Sequence, residues 1–80
     1  MIYELRIYRA APGKLEPLIA RFRDHTVALF EKHGITNVGY WRNTIGGRND
    51  ELWYILSYPN IAARDTSWAA FTSDPDWQKV

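Results

Sequence analysis

Eighty residues allow one domain, and so small a core is marginally stable alone, so a second surface that supplies buried area is expected. Ten Lys and Arg against nine Asp and Glu, with neither sign gathered in a run, argue against nucleic acid and membrane as partners. The absence of cysteine excludes disulfides and thiolate ligands and fits a reducing compartment, and Met1-Ile-Tyr-Glu4 is no signal peptide, so a cytoplasmic location is expected.

The first strand runs to the turn at Pro12-Gly13. Alternation places Tyr3, Leu5 and Ile7 on one face and Ile2, Glu4, Arg6 and Tyr8 on the other. The apolar face is expected to receive helices, and the face with an acid, a base and a phenol is where function is sought. A helix is predicted over 15–33, with Pro17 tolerated in its first turn and Gly34 as its stop. At helical spacing Leu15, Leu18, Ile19, Phe22, Thr26, Leu29, Phe30 and His33 form a stripe that would pack against Tyr3, Leu5 and Ile7.

Residues 35–44 read as a second strand, 45–50 as a glycine-containing turn and 51–58 as a third strand, together a hairpin. Leu52, Tyr54, Leu56 and Tyr58 share one face of the third strand, Trp53, Ile55 and Ser57 the other; both are apolar enough to be covered, which predicts a central strand. Asn60 is the expected N-cap of a helix over 61–72 whose inward side would be Ile61, Trp68 and Phe71. Ser73-Asp74-Pro75 opens a last short turn pinned by Trp77. The order β-α-β-β-α is an α+β, ferredoxin-like pattern without its last strand, and no repeat or linker divides residues 1–80.

Ile-Tyr-Glu-Leu-Arg-Ile-Tyr at 2–8, Pro-Gly-Lys-Leu at 12–15, Val-Gly-Tyr-Trp at 38–41 and Asp-Pro-Asp-Trp at 74–77 resemble, in order and spacing, the NIPSNAP family of the dimeric α/β barrel superfamily. The resemblance implies a subunit that pairs with a copy of itself, two sheets facing each other around a barrel-like cavity. It also implies that family members continue past the last motif into a final strand, so a chain ending at Val80 is expected to be truncated. Relatives often carry a polar residue such as His midway in the third strand, where this chain has Tyr54, and Ala63 stands where a Glu would complete the capping box.

The candidate cavity residues are Glu4, Arg6 and Tyr8, joined by Tyr54 and Tyr58 if the third strand looks into the same space. A carboxylate, a guanidinium and phenols there would polarise a small oxygenated ligand; equally, Glu4 and Arg6 would pair as structural charges. Trp41, beside Gly39, is the expected aromatic wall or else an interface residue. His33 reads as a packed, hydrogen-bonded histidine at the helix C-terminus. Two histidines without cysteines or a carboxylate cluster make no metal site, Gly46-Gly47 lacks the ending of a phosphate loop, and no nucleophile setting or cofactor is expected. The fitting functions are a binder of a small, largely apolar or aromatic molecule, a cofactor-free monooxygenase or isomerase by analogy of fold, and a noncatalytic interaction module. An RNA reader would want a basic surround that the chain lacks.

Overall fold

The computed structural model describes residues 1–79. Strand β1, Ile2–Arg9, and strand β2, Thr36–Arg42, flank β3, Glu51–Tyr58, in an antiparallel sheet of order β1-β3-β2. The strand with two apolar faces is therefore the central one. Pairing with β1 is regular from Ile2 opposite Tyr58 to Arg9 opposite Glu51, while β2 slips by a bulge between Asn37 and Gly39.

One helical rod connects β1 to β2. Helix α1, Leu15–Arg21, passes through a π-helical turn at Phe22–Thr26 into helix α2, Val27–Lys32, and Gly34 ends it with φ of 77°, a left-handed conformation that favours glycine. The widened turn keeps both Phe22 and Thr26 buried, and among the described residues the Thr26 hydroxyl has no hydrogen-bond partner. Helix α3, Ile61–Thr72, starts where the Asn60 side chain accepts the Ala63 N–H at 2.8 Å. Helix α4, Pro75–Lys79, starts in the same way from Asp74, whose carboxylate accepts the Asp76 N–H at 2.8 Å. The other oxygen of that carboxylate meets Lys32 at 2.8 Å and His33 Nε2 at 2.6 Å, tying α4 to the end of α2. Among the described residues no helix is long and apolar enough to cross a membrane.

All the helices lie on one side of the sheet, and it is the opposite side from the one the pattern of β1 predicts. Tyr3, Leu5 and Ile7 are 65, 55 and 46% exposed, whereas Ile2, Glu4, Arg6 and Tyr8 face the helices. The cause lies in β3. Register places Leu56 opposite Glu4, Tyr54 opposite Arg6 and Leu52 opposite Tyr8, so the buried face of the central strand carries these neighbours inward with it. The helical stripe packs there too, with Phe22 and Phe30 against Tyr54 at ring-centroid distances of 5.1 and 6.3 Å. Tyr54 has no exposed surface and also touches the rings of Tyr8 and Tyr40, each such aromatic pair adding about 0.5–1.5 kcal/mol beyond burial. On α3 the inward positions are Arg64, Trp68 and Phe71; Ile61, expected among them, is 60% exposed. Trp77 pins α4, its ring 4.5 Å from that of Phe71.

Candidate functional site

Five of the six candidate residues come together between sheet and helices. Glu4, Arg6 and Tyr8 arrive on alternate positions of β1, and Tyr54 and Tyr58 on the matching face of β3. Arg6 spends its donors within this group: Nε donates to the Tyr54 hydroxyl at 3.0 Å, Nη1 to Glu4 at 3.1 Å and Nη2 to the Tyr8 hydroxyl at 3.5 Å. Its guanidinium lies 4.6 Å from the centre of a Trp68 ring, a cation–π contact. Glu4 is equally occupied, accepting from Tyr58 at 2.8 Å on one oxygen and from Arg64 at 3.0 Å on the other. Trp68 Nε1 donates to the Tyr58 hydroxyl at 2.7 Å.

The electrostatics follow from this geometry. Burial opposes the ionisation of Glu4, yet hydrogen bonds from Arg64 and Tyr58 and the charges of two guanidiniums outweigh it and hold the carboxyl below its ordinary value. Burial likewise opposes the charge of Arg6, but its bonds to Tyr8 and Tyr54 raise its pKa further. Burial pushes the Tyr54 phenol upward, and it lifts Tyr58 to about 12 against the pull of the Trp68 N–H. Such a group is an ionised carboxylate held between cations and bordered by phenol hydroxyls. Glu4 is held ionised and so has no proton to donate, and both of its oxygens already accept hydrogen bonds from Arg6, Tyr58 and Arg64.

Trp41 is not part of it. Its side chain lies on the open face of the sheet, 52% exposed, and the ring crosses Gly39: a Cβ added at Gly39 would lie 2.8 Å from Trp41 Cη2. The space that Gly39 leaves is thus filled by Trp41 itself. With Tyr3, Leu5, Ile7 and Val38 it makes the open face an exposed apolar patch. His33 sits away from the cluster on Asp74, and among the described residues no three His, Asp or Glu side chains gather to hold a metal.

Two features escape the reading of the sequence. Arg64 has no place in the expected inward side of the helix, although it stands four residues before Trp68 and seven before Phe71, the spacing of one helix face. A pocket of about 240 Å³ opens between the helical rod and the sheet, walled by Ile19, Phe22, Val27, Tyr40 and Leu52 with Arg23 at its lip. Of its walls, Ile19 and Phe22 read in sequence as the helical stripe and Leu52 as one face of the third strand, while Val27 and Tyr40 carry no such signal. Its polar neighbours are already engaged, since Arg23 pairs with Asp24 at 2.9 Å and the Tyr40 hydroxyl donates to Asn37.

Comparison with known proteins bears on all of this. The family model described as NIPSNAP matches residues 3–80. NipSnap homolog 3B of Mus musculus is 32% identical over 77 residues, 96% of this chain but 30% of that protein. NipSnap homolog 3A of Homo sapiens is 32% identical over 79 residues, 99% of this chain and 31% of its own length. The chain thus spans about a third of the length of these relatives. Among solved structures, protein Atu4242 of Agrobacterium tumefaciens superposes with a TM-score of 0.89 at 28% identity, over 99% of this chain and 75% of that one. An uncharacterised NIPSNAP domain protein of Burkholderia xenovorans shares the fold with a TM-score of 0.87 at 22% identity, over 99% of this chain and 76% of its own. With four motifs in register, a family model covering nearly every residue and the same fold in solved relatives, this chain belongs to the NIPSNAP family.

Proposed function

We propose that this chain is a self-pairing NIPSNAP module of the cytoplasm that holds a small, largely apolar or aromatic molecule between its sheet and its helices. The observation that carries the reading is the pocket of about 240 Å³ walled by Ile19, Phe22, Val27, Tyr40 and Leu52, a concave apolar space beside the aromatic core, smaller than the roughly 300–1,000 Å³ of drug-sized sites and so suited to a compact molecule. Self-pairing rests on the open sheet face. Tyr3, Leu5, Ile7, Val38 and Trp41 expose an apolar surface on a chain too small for a large core of its own. A second copy facing it would bury the same surface on both partners, as the dimeric α/β barrel arrangement implies.

Binding without chemistry is favoured over a cofactor-free oxygenase or isomerase. Each of those needs a free acid or base against the ligand, and the polar groups nearest the pocket pair with one another: Arg23 with Asp24, Tyr40 with Asn37. A purely noncatalytic interaction module remains the second reading, supported by the closed Glu4–Arg6 cluster, whose groups satisfy themselves.

The test is calorimetric titration with naphthalene as probe, comparing the wild-type protein with Val27→Trp, which fills the pocket from its wall. Saturable binding to the wild type that Val27→Trp abolishes, with the helical signal of circular dichroism retained, is expected. Equal binding by both proteins, or none by the wild type, contradicts the reading.

A further inference from the structure

A second hollow lies on the other side of α1, and its chemistry differs. Lys14, Pro17, Leu18 and Arg21 are three or four residues apart and fall on one helix face. That face looks across the end of β1, where Tyr8 and Arg9 complete a groove of about 300 Å³. Its floor is apolar, made by Pro17, Leu18 and the Tyr8 ring, which is fixed edge-on against Phe22 and Tyr54. Its rim is cationic, and among the described residues no Asp or Glu lines it.

The distribution of ion pairs makes this rim unusual within the molecule. Arg6 and Arg64 meet Glu4, Arg23 meets Asp24, Arg42 meets Glu16, Arg48 meets Asp50 and Lys32 meets Asp74. Among the described residues, Lys14 and Arg21 pair with no carboxylate, and both stand on this groove. Arg9, the third cation there, reaches Glu51 only at 3.4 Å with its own side chain 62% exposed. Arg21 is nonetheless held in place, its guanidinium 5.0 Å from the centre of a Trp77 ring. A chain of net charge +1 therefore sets three cations around one apolar-floored hollow.

We infer that this groove is a binding site for small amphipathic carboxylates, the anionic head between Lys14 and Arg21 and the apolar body on Leu18, Pro17 and Tyr8. Arginine supplies paired donors to a carboxylate and lysine a movable charge, and the floor selects for a hydrocarbon or aryl body over a bare anion. The volume is at the lower end of the range for small-molecule sites, roughly 300–1,000 Å³. The site is separate from the pocket beneath Phe22 and Val27 and does not depend on it.

The experiment is a calorimetric titration of the whole chain with octanoate, with octan-1-ol as the neutral match and inorganic phosphate as the bare anion. It is repeated on Lys14→Gln and on the double variant Lys14→Gln/Arg21→Gln. Octanoate is expected to bind saturably and at least about tenfold more tightly than either control. Lys14→Gln should weaken it several-fold and the double variant by about tenfold or more. Phosphate as tight as octanoate means a charged patch only, octanol as tight means an apolar hollow only, and each overturns the inference. Should the loss of the Arg21–Trp77 contact unfold the double variant, Lys14→Gln alone decides, because Lys14 is exposed and makes no capping hydrogen bond. Unchanged octanoate affinity in a folded Lys14→Gln overturns the inference as well.

Discussion

Arg64 on α3 and Glu4 on β1, 60 residues apart in sequence, meet at 3.0 Å and join the last long helix to the first strand. The pair explains why β1 can turn its charged face inward. Glu4 gains Arg64, Arg6 and Tyr58, Arg6 gains Tyr54, Tyr8 and the Trp68 ring, and little of the group's bonding capacity is left unmet.

Glu4→Gln should therefore destabilise the fold by about 1–2 kcal/mol, because two guanidiniums lose their shared anion while remaining partly exposed to water. It should also flatten the acid limb of the stability curve. The carboxyl of Glu4 is held below its ordinary value of 4.5, so at mildly acidic pH the unfolded chain binds the proton first. Its contribution is complete above 4.5 and is lost as the pH falls through the lower value of the folded state. Denaturant unfolding at a series of acidic pH values, wild type against Glu4→Gln, reads both effects.

The tyrosines give the opposite limb. Burial raises Tyr40, Tyr54 and Tyr58 above the ordinary 10.0, so the fold keeps their protons longer than the unfolded chain does. Their contribution to stability is complete below pH 10 and is lost as pH rises through the folded-state values, that of Tyr58 being about 12. Spectrophotometric titration of phenolate should show these three ionising late, together with alkaline unfolding. Complete ionisation near pH 10 with the fold intact would contradict the buried network.

Gly39→Ala should displace Trp41 without unfolding the sheet. The new methyl would lie 2.8 and 2.9 Å from the far end of the indole, which within a single chain is half exposed and has room to swing outward. The expected cost is below about 1 kcal/mol, with a shift in tryptophan emission as the ring leaves its seat. Unchanged emission would mean that the ring does not rest there.

Leu5→Arg places a charge in the middle of the open sheet face. If a second copy covers that face, the variant should sediment as a folded monomer, losing more than about 2 kcal/mol of association free energy, and should keep its naphthalene binding. Dimers of undiminished affinity would move the interface elsewhere.

Much of the fold is written in local pattern. The central strand at 51–58, the Asn60 cap, the helix at 61–72 and Pro75 at the start of α4 all follow from periodicity and capping chemistry. The inward face of β1 does not. Alternation separates Tyr3, Leu5 and Ile7 from Glu4, Arg6 and Tyr8, but which set is buried depends on the partner strand and on donors such as Arg64. Hydropathy points to the wrong set because the more apolar face is the one left open to solvent within a single chain. Register, whichever face the helices cover, separates Trp41 from the other five candidates, because Trp41 lies opposite Trp53 and so on the face of Ile7. Ile61 fails for a different reason: by spacing it shares the face of Arg64, Trp68 and Phe71, but it is the first residue of α3 and is left 60% exposed at the helix end.

Chemical-shift mapping of the nitrogen-15-labelled chain during titration with naphthalene is the sharpest test of a ligand held between sheet and helices, because it separates the two sides of the sheet. Saturable shifts are expected at the amides around Ile19, Phe22, Val27 and Leu52, with Tyr3, Leu5 and Ile7 unmoved. Shifts confined to Tyr3, Leu5, Ile7 and Trp41 would place the ligand on the open face instead, and an absence of saturable shifts would leave the chain without the small-molecule site proposed for it.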